Sequence, residues 1–149
     1  METSTDYGHW QILRPRPDNA LGFIYRITNT LNGMQYIGQK HCIFTSKVKV
    51  KGRKNRKTVR RESDWKKYTG SCRQLNEDIE KHGIEHFLLE ILIWCGSKSE
   101  LNYFEAKAIM ETDAVLREDY YNGELRCRLG RKTRLDVNED FVPGASRIL

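Results

Sequence analysis

The sequence predicts a small α/β domain with a three-stranded, largely antiparallel sheet flanked by helices. Two observations lead to this fold class: an early β-hairpin pattern, and a short apolar strand pattern that lies between two helical segments. The chain has 149 residues, a length that suits one domain with a single modest core. The predicted order of elements is hairpin, helix, helix, strand and helix, which is typical of a sheet with helices packed against it.

The hairpin is predicted within the stretch GFIYRITNTLNGMQYIGQK, residues 22–40. β-Branched and aromatic residues favour a strand on each side of the pair Asn32-Gly33. This pair is a strong turn signal because both residues tolerate positive φ. The two strands are therefore expected to be antiparallel neighbours.

The length of the turn decides which residues of the hairpin meet. A two-residue loop would pair Tyr36 with Asn29, and a four-residue loop would pair it with Ile27. We favour the four-residue loop because it brings the hydroxyls of Tyr25 and Tyr36 nearest to each other. Gly38 has no side chain, which predicts close approach of a ligand to the backbone at that position. In both registers one face of the hairpin has Tyr25, Tyr36, Gly38 and Lys40.

The remaining elements follow from apolar spacing and helix-end signals. Residues 62–68 favour a short helix, and alternation over residues 47–51 favours a short second hairpin around Gly52. The longer predicted elements are a helix over 72–81, a buried central strand over 86–94, and a helix from 100 to about 112 behind a capping box at 97–100.

The predicted domain occupies residues 21–123 and includes a basic insertion at 44–61. Residues 1–20 are expected to be a tail, and the polar, weakly patterned residues 124–149 a C-terminal extension. No apolar run approaches the ~20 residues of a membrane span, and no secretory signal is recognisable at the start. We therefore expect a cytoplasmic protein with reduced thiols and no membrane partner. The cysteines form no close pair, so a structural zinc site is not expected.

The net charge of +6 is concentrated in one segment. Residues 47–61 contain nine Lys or Arg and no acid, so the rest of the chain has a balance of 6 − 9 = −3. Such a basic patch indicates a polyanionic partner, with DNA or RNA as the first candidates, although a solvated loop would have the same composition. The nucleic-acid-binding candidates are Lys47, Lys49, Lys51, Arg53, Lys54, Arg56, Lys57, Arg60 and Arg61.

Phe23-Ile24-Tyr25, followed after eleven residues by Tyr36-Ile37-Gly38, resembles the signature of GIY-YIG nucleases. Phe23 stands where that signature has glycine. The later helices, the apolar strand and Tyr121-Asn122 follow in the order of that family, so the resemblance spans about residues 22–123. The stretches 62–65 and 68–71 are similar to a phage-borne, homing-type "Seg-like" subgroup.

The resemblance implies hydrolysis of phosphodiester bonds in duplex DNA with one divalent metal ion, Mg²⁺ or another such as Mn²⁺. Glu105 matches the metal ligand of the family, and Mg²⁺ accepts one carboxylate with water in most other positions. Tyr25 matches the tyrosine described as general base or water-positioning group, and Tyr36 would orient the water or the phosphate. A phenol is a poor base at neutral pH unless nearby positive charge lowers its pKa.

The basic residue that contacts the scissile phosphate is not fixed by spacing. The family places an arginine on its first helix, but the basic insertion separates that helix from Tyr36. Lys40 is the first candidate because it shares the face of the tyrosines, and Arg61 or Arg60 is the second because guanidinium matches phosphate geometry. Asn122 matches a family asparagine near the metal, and it would equally suit a turn beside Gly123.

The leading hypothesis is therefore a metal-dependent DNA endonuclease. A non-catalytic nucleic-acid-binding module on the same scaffold is the alternative, and a structural or interaction protein is a third. The first two share the basic segment, whose phosphate contacts give affinity and salt dependence without sequence choice. A homodimer is the oligomeric state that concerted double-strand cleavage would favour.

Overall fold

A computed structural model describes residues 6–130 of the chain. Within that range the chain forms a four-stranded sheet, a separate two-stranded sheet and two α-helices, which confirms the α/β fold class. The strands are β1 (Gln11–Ile12), β2 (Gly22–Asn29), β3 (Gln35–His41), β4 (Ile43–Val48), β5 (Lys57–Glu62) and β6 (Phe87–Cys95), and the α-helices are α1 (Arg73–His82) and α2 (Lys98–Glu111).

The predicted hairpin is formed by β2 and β3 with the four-residue loop. Ile27 pairs with Tyr36, and Tyr25 pairs with Gly38. The Asn29 backbone N–H donates to the Met34 carbonyl at 2.8 Å, which closes the loop. This register confirms that the two tyrosines share one face of the hairpin.

The order of the main sheet is β1-β6-β2-β3, so β6 is central and β3 is an outer strand. The predicted central strand is thus confirmed, with antiparallel pairing to β2 on one side. On its other side β6 pairs in parallel with β1, where Gln11 lies opposite Glu90. The sheet therefore has a fourth strand in addition to the three that were predicted.

The segment before the hairpin packs on the domain. Trp10 is 5% exposed, and its indole N–H donates to the Trp65 carbonyl at 2.6 Å. Its ring lies 5.2 Å from Phe23 and 5.1 Å from Tyr25, measured between centroids. The prediction of a tail over residues 1–20 is therefore wrong for residues 6–20, because a tryptophan there fills the aromatic core; residues 1–5 lie outside the described range.

Helices cover both faces of the main sheet. On the aromatic face, Phe23 and Tyr25 pack in one core with Trp65 of a short 3-10 helix and Leu75 of α1. On the α2 face, Ile24 and Ile37 pack against the apolar side of α2. Alternation along β2 and β3 thus supplies two cores, and β3 lies at the outer edge of both.

The ends of the helices match their sequence signals. The Ser97 hydroxyl accepts from the Glu100 N–H at 3.1 Å at the start of α2, which confirms the capping residue. The Glu100 carboxylate accepts in return from the Gly96 N–H at 2.9 Å. α1 begins one residue later than predicted and ends at Gly83, whose φ is +93°.

β4 and β5 form the second hairpin, which is longer than the short one predicted around Gly52. Six pairs connect them, from Ile43 opposite Glu62 to Val48 opposite Lys57. We call β4, β5 and the connecting residues 49–56 the ribbon. It corresponds to the predicted basic insertion at 44–61.

Residues 131–149 of the predicted C-terminal extension lie outside the described range. Among residues 6–130, no helix has the length and apolar character needed to cross a membrane.

The ring of Tyr25 fills the space that Gly38 leaves on the aromatic face. A Cβ added at residue 38 would lie 2.6 Å from Cζ of Tyr25 and would overlap its hydroxyl oxygen. The prediction that this glycine opens the backbone to a ligand is therefore corrected. The absent side chain accommodates the tyrosine instead.

We expect Gly38→Ala to lower the free energy of unfolding by about 1–3 kcal/mol, as overpacking of a core does. The added methyl would displace the Tyr25 ring or the strand. Gly123→Ala is the matched control, because a Cβ at residue 123 meets nothing within 4 Å. Urea denaturation measures both variants, and equal stability of the two would contradict this packing.

Candidate active site

Side chains and a returning segment cover much of the outer edge of β3. The Gln35 N–H donates to the Asp119 carbonyl at 3.0 Å, and the Tyr121 N–H donates to the Gln35 carbonyl at 2.7 Å. Further along, the Ser63 hydroxyl donates to the His41 carbonyl at 2.6 Å. These partners satisfy backbone groups that an edge strand would otherwise expose.

Asn122 acts as a further strand residue at this edge. Its side-chain oxygen accepts from the Ile37 N–H at 3.0 Å, and its amide donates to the Ile37 carbonyl at 2.8 Å. The side chain is buried and both of its ends are engaged by the backbone of β3. In this geometry Asn122 fixes the strand beside the site.

Glu105 of α2 lies next along the edge, against Gln39. The Gln39 side-chain amide donates to the Glu105 carboxylate at 3.3 Å and to the Asn102 side chain at 3.1 Å. Burial raises the pKa of Glu105 above its usual value, and hydrogen bonds from the side chain and backbone of Gln39 act in the opposite direction. The carboxylate therefore lies half-buried against neutral donors.

Tyr25 of β2 and Tyr36 of β3 lie close together on the aromatic face of the hairpin. Their ring centroids lie 6.1 Å apart, and Tyr25 is 1% exposed. Burial, and next the neighbouring Tyr36, raise the pKa of Tyr25 well above its usual value. Burial also raises the pKa of Tyr36, while a hydrogen bond with Ser71 lowers it. Both tyrosines are protonated phenols at neutral pH in this state, which does not favour Tyr25 as a base before DNA binds.

Tyr25 and Glu105 contact two consecutive residues of β3, and Tyr36 belongs to the same strand. Tyr25 covers Gly38 from the aromatic face, and Glu105 holds Gln39 from the α2 side. The charge of Glu105 is also among the causes that raise the pKa of both tyrosines. Three of the predicted site residues are thus neighbours although they come from opposite sides of the sheet.

The backbone at Gly70 lies against the side chains of Tyr25 and Tyr36. Its φ is +88°, and a Cβ there would lie 3.0 Å from the Tyr25 hydroxyl and 3.3 Å from Cε2 of Tyr36. A glycine is therefore needed for the 69–71 loop to pass over both phenols.

Lys40 lies on the aromatic face, as predicted, and its ammonium is already paired. The Lys40 Nζ lies 2.8 Å from an Asp64 carboxylate oxygen and 4.0 Å from the centroid of the Tyr68 ring. The hydrogen bond from Lys40 lowers the pKa of Asp64 below its usual value. The side chain of Lys40 is 12% exposed and that of Asp64 is 55% exposed, so the carboxylate is the more accessible member of the pair.

Arg60 and Arg61 lie on β5 of the ribbon. Both side chains are exposed, opposite Thr45 and Phe44 respectively. All the other basic candidates from Lys47 to Lys57 also lie in the ribbon. The structure therefore groups the predicted DNA-binding residues on one projecting element.

Several neighbours of the site have no role indicated by the sequence alone. Gln39 could have been found, because strand alternation places it on the α2 face beside Glu105. His41 lies on the same face, and burial together with the charges of Lys98 and Lys40 lowers its pKa. The contact of Asp64 with Lys40 joins residues 24 positions apart, which no local pattern indicates.

The chemistry of this donor set fits one hard divalent cation. Among residues 6–130, no group of three or more His, Cys, Asp or Glu side chains is arranged to hold a metal. A Mg²⁺ ion commonly uses one or two carboxylates and takes its other ligands from water and substrate phosphates. Glu105 is a half-buried carboxylate that has no cationic partner among residues 6–130, which suits that mode of binding.

We expect Glu105→Gln to raise the melting temperature at neutral pH in the absence of divalent ions. A carboxyl group whose folded pKa is raised above 4.5 binds more protons in the folded state than in the unfolded state. The wild type therefore loses stability as pH rises from the unfolded pKa through the folded one. The difference between variant and wild type should shrink when pH is lowered to about 4.

Thermal melts across this pH range measure the effect, with Glu111→Gln on the same helix as the control. Glu111 makes only a 3.9 Å contact with Lys107, so its replacement should change little. A Glu105→Gln protein that is less stable than wild type at neutral pH would contradict the described environment.

Comparisons with known proteins identify a family for this chain. The family profile described as "Putative endonuclease segE, GIY-YIG domain" matches residues 7–125. The chain is similar to "Putative endonuclease segD" of Enterobacteria phage T4, at 33% identity over 105 residues. That match covers 70% of this chain and 38% of the relative, so the chain corresponds to less than half of that protein. No solved structure matches.

The matched range includes both tyrosines, the whole ribbon, α2 with Glu105, and Asn122. It also begins before β1, in the segment that packs on the aromatic core. The resemblance seen in the hairpin therefore extends over the described fold, and the chain belongs to the GIY-YIG family of segE-type endonuclease domains.

Proposed function

We propose that this protein is a metal-dependent endonuclease that hydrolyses phosphodiester bonds in duplex DNA. The observation that carries the proposal is that Tyr25, whose ring centroid lies 6.1 Å from that of Tyr36, and Glu105 contact the consecutive residues Gly38 and Gln39 of β3. The names of the matched family and of the phage T4 relative support the reaction class. We further propose a phage-borne, homing-type enzyme that acts in the cytoplasm of a bacterial host.

Glu105 is the residue proposed to hold the divalent ion, Mg²⁺ or Mn²⁺. The ion would neutralise charge on the phosphate and stabilise the leaving oxygen. The role of Glu105 itself is to present a desolvated carboxylate at a fixed place, because Gln39 holds one of its oxygens. The capped start of α2 fixes the helix that bears it.

The phenols of Tyr25 and Tyr36 are proposed to orient water and phosphate by hydrogen bonding. Because burial raises both pKa values, each hydroxyl keeps its proton and acts as a donor in the state without DNA. Tyr36 is the more accessible of the two and is held through Ser71. Rigid positioning of this kind contributes to catalysis by removing orientational freedom of the reactants.

Lys40 is proposed as the cation that meets the scissile phosphate. It lies beside the tyrosines, and its partner Asp64 is exposed, so a DNA phosphate can replace that carboxylate. Arg61 and Arg60 are proposed as contacts of the ribbon to DNA, with Arg61 the nearer candidate to the scissile phosphate because it lies opposite Phe44. Asn122 supports the site by holding Ile37.

One hydrolytic centre per chain implies that a single copy cuts one strand at a time. A homodimer on DNA would bring a second centre and allow a double-strand break. The proposal therefore assigns nicking to the monomer.

Cleavage of supercoiled plasmid with and without Mg²⁺ tests the proposal. We expect nicked circles with the wild type only when the metal is added. Glu105→Gln should lose at least about 100-fold in rate, and Tyr25→Phe and Tyr36→Phe roughly 10- to 1,000-fold, because each removes a group that acts on the reacting centre.

Glu111→Gln should cleave at the wild-type rate. Wild-type rates for Glu105→Gln would remove the hydrolytic centre from this site. The alternative of a non-catalytic binding module is favoured by one observation, the deep burial of Tyr25. A wild type that binds plasmid but leaves it intact in Mg²⁺ would establish that alternative.

A further inference from the structure

The ribbon is a projecting element with a fixed base and an exposed body. Glu62 at its base accepts from Arg16 at 3.0 Å and from the Trp65 indole at 2.8 Å. The Ser63 N–H donates to the Cys42 carbonyl at 2.7 Å, which joins the two strands at their base, and the Cys42 N–H donates to the Leu21 carbonyl at 2.7 Å, which ties that base to the domain. Beyond this base every residue of β4 and β5 is exposed from Phe44 onward.

The register divides the ribbon into two unlike faces. One, the mixed face, has Phe44 opposite Arg61, Ser46 opposite Val59, and Val48 opposite Lys57. The other, the polar face, has Thr45 opposite Arg60 and Lys47 opposite Thr58. A polar face needs no partner beyond water, whereas the mixed face exposes Phe44, Val48 and Val59 at 42%, 47% and 38%.

The mixed face lies on the side of the candidate active site. The Phe44 ring centroid is 5.3 Å from Lys40 Nζ and 6.5 Å from the His41 ring, to which it lies nearly parallel. A duplex whose phosphate meets Lys40 would therefore meet the mixed face next. Exposed apolar residues there lie along the path of the proposed substrate.

The dimensions and charge of the ribbon fit the major groove of DNA. Each strand has six residues, which span about 20 Å at ~3.4 Å per residue. A major groove about 12 Å wide admits a two-stranded β-ribbon. The nine Lys and Arg of residues 47–61, with no acid among them, complement the phosphates on both walls of such a groove.

From these observations we infer that the ribbon enters the major groove next to the cleavage point and that its mixed face reads base edges there. Val48, Val59 and Phe44 contact thymine 5-methyl groups, and Arg61 and Lys57 reach guanine or flanking phosphates. The ribbon then supplies sequence preference in addition to charge. This inference rests on the proposed function for its substrate, duplex DNA.

The test uses the whole 149-residue chain with Glu105→Gln, which we expect to bind without cutting. Duplexes enriched by this protein from a random pool are remade with deoxyuridine in place of thymidine, which removes only a methyl group from the major groove. We expect uracil substitution to weaken binding roughly tenfold, within the range that the loss of one base contact produces.

Two double variants in the same background identify the face. Val48→Thr with Val59→Thr should bind the thymine duplex roughly tenfold more weakly, because the apolar contacts are gone. Its affinity should then be the same for the thymine duplex and the uracil duplex. Thr45→Val with Thr58→Val is the reverse exchange on the polar face. This variant should keep the affinity for the thymine duplex and the loss of affinity on uracil substitution. All four positions are exposed, so thermal melts should confirm intact folds.

Equal affinity for thymine and uracil duplexes would overturn the inference, as would a methyl response that survives Val48→Thr with Val59→Thr, or a pool that yields no enriched sequence. Plasmid nicking by the wild type separates this failure from that of the proposed function. If the wild type nicks plasmid but uracil substitution leaves affinity unchanged, only the contact of the ribbon with base edges is rejected. A methyl response without nicking rejects only the hydrolytic activity.

Discussion

The pairing of Tyr25 with Gly38 is the constraint on which the rest of the structure depends. The tyrosine ring needs the space of an absent side chain, so the hairpin has one register in which it can close. A slip by one residue would turn every side chain of β3 to the other face. In the observed register Tyr36 joins the aromatic face, and Gln39 meets Glu105 on the α2 side. Packing and the proposed chemistry thus share one geometric requirement.

This arrangement opposes folding stability to the function proposed for Glu105. Its carboxylate loses hydration against the edge of β3, and within residues 6–130 its hydrogen-bond donors are the neutral groups of Gln39. Such a group costs folding free energy when ionised, and the proposed cation, with its own water and phosphate ligands, would offset that cost. Asn122 differs from Glu105 at the same edge because its side chain is neutral. Its amide is hydrogen-bonded to both the N–H and the carbonyl of Ile37.

The sequence predicts those elements that are determined by residues close together in the chain. The Asn32-Gly33 turn, the Ser97 cap and the apolar run of β6 were read from neighbouring residues. β1 was missed because two residues in parallel pairing leave no periodic pattern, and the burial of Trp10 depends on aromatic partners far along the chain. For the site, alternation placed Lys40 and both tyrosines on one face. It could not show that Lys40 is paired with Asp64, or that Tyr25 itself occupies the space at Gly38.

A divalent ion held by Glu105, as proposed, would lie next to the two tyrosines on the aromatic face. Paramagnetic broadening of NMR signals by Mn²⁺ at low occupancy tests this position directly, since the effect falls steeply with distance from the ion. We expect the Gly38 and Gln39 amides and the Tyr36 ring to broaden first in the wild type, and this pattern to be lost in Glu105→Gln. Broadening centred on another part of the chain, or unchanged in that variant, would contradict the proposed position of the ion.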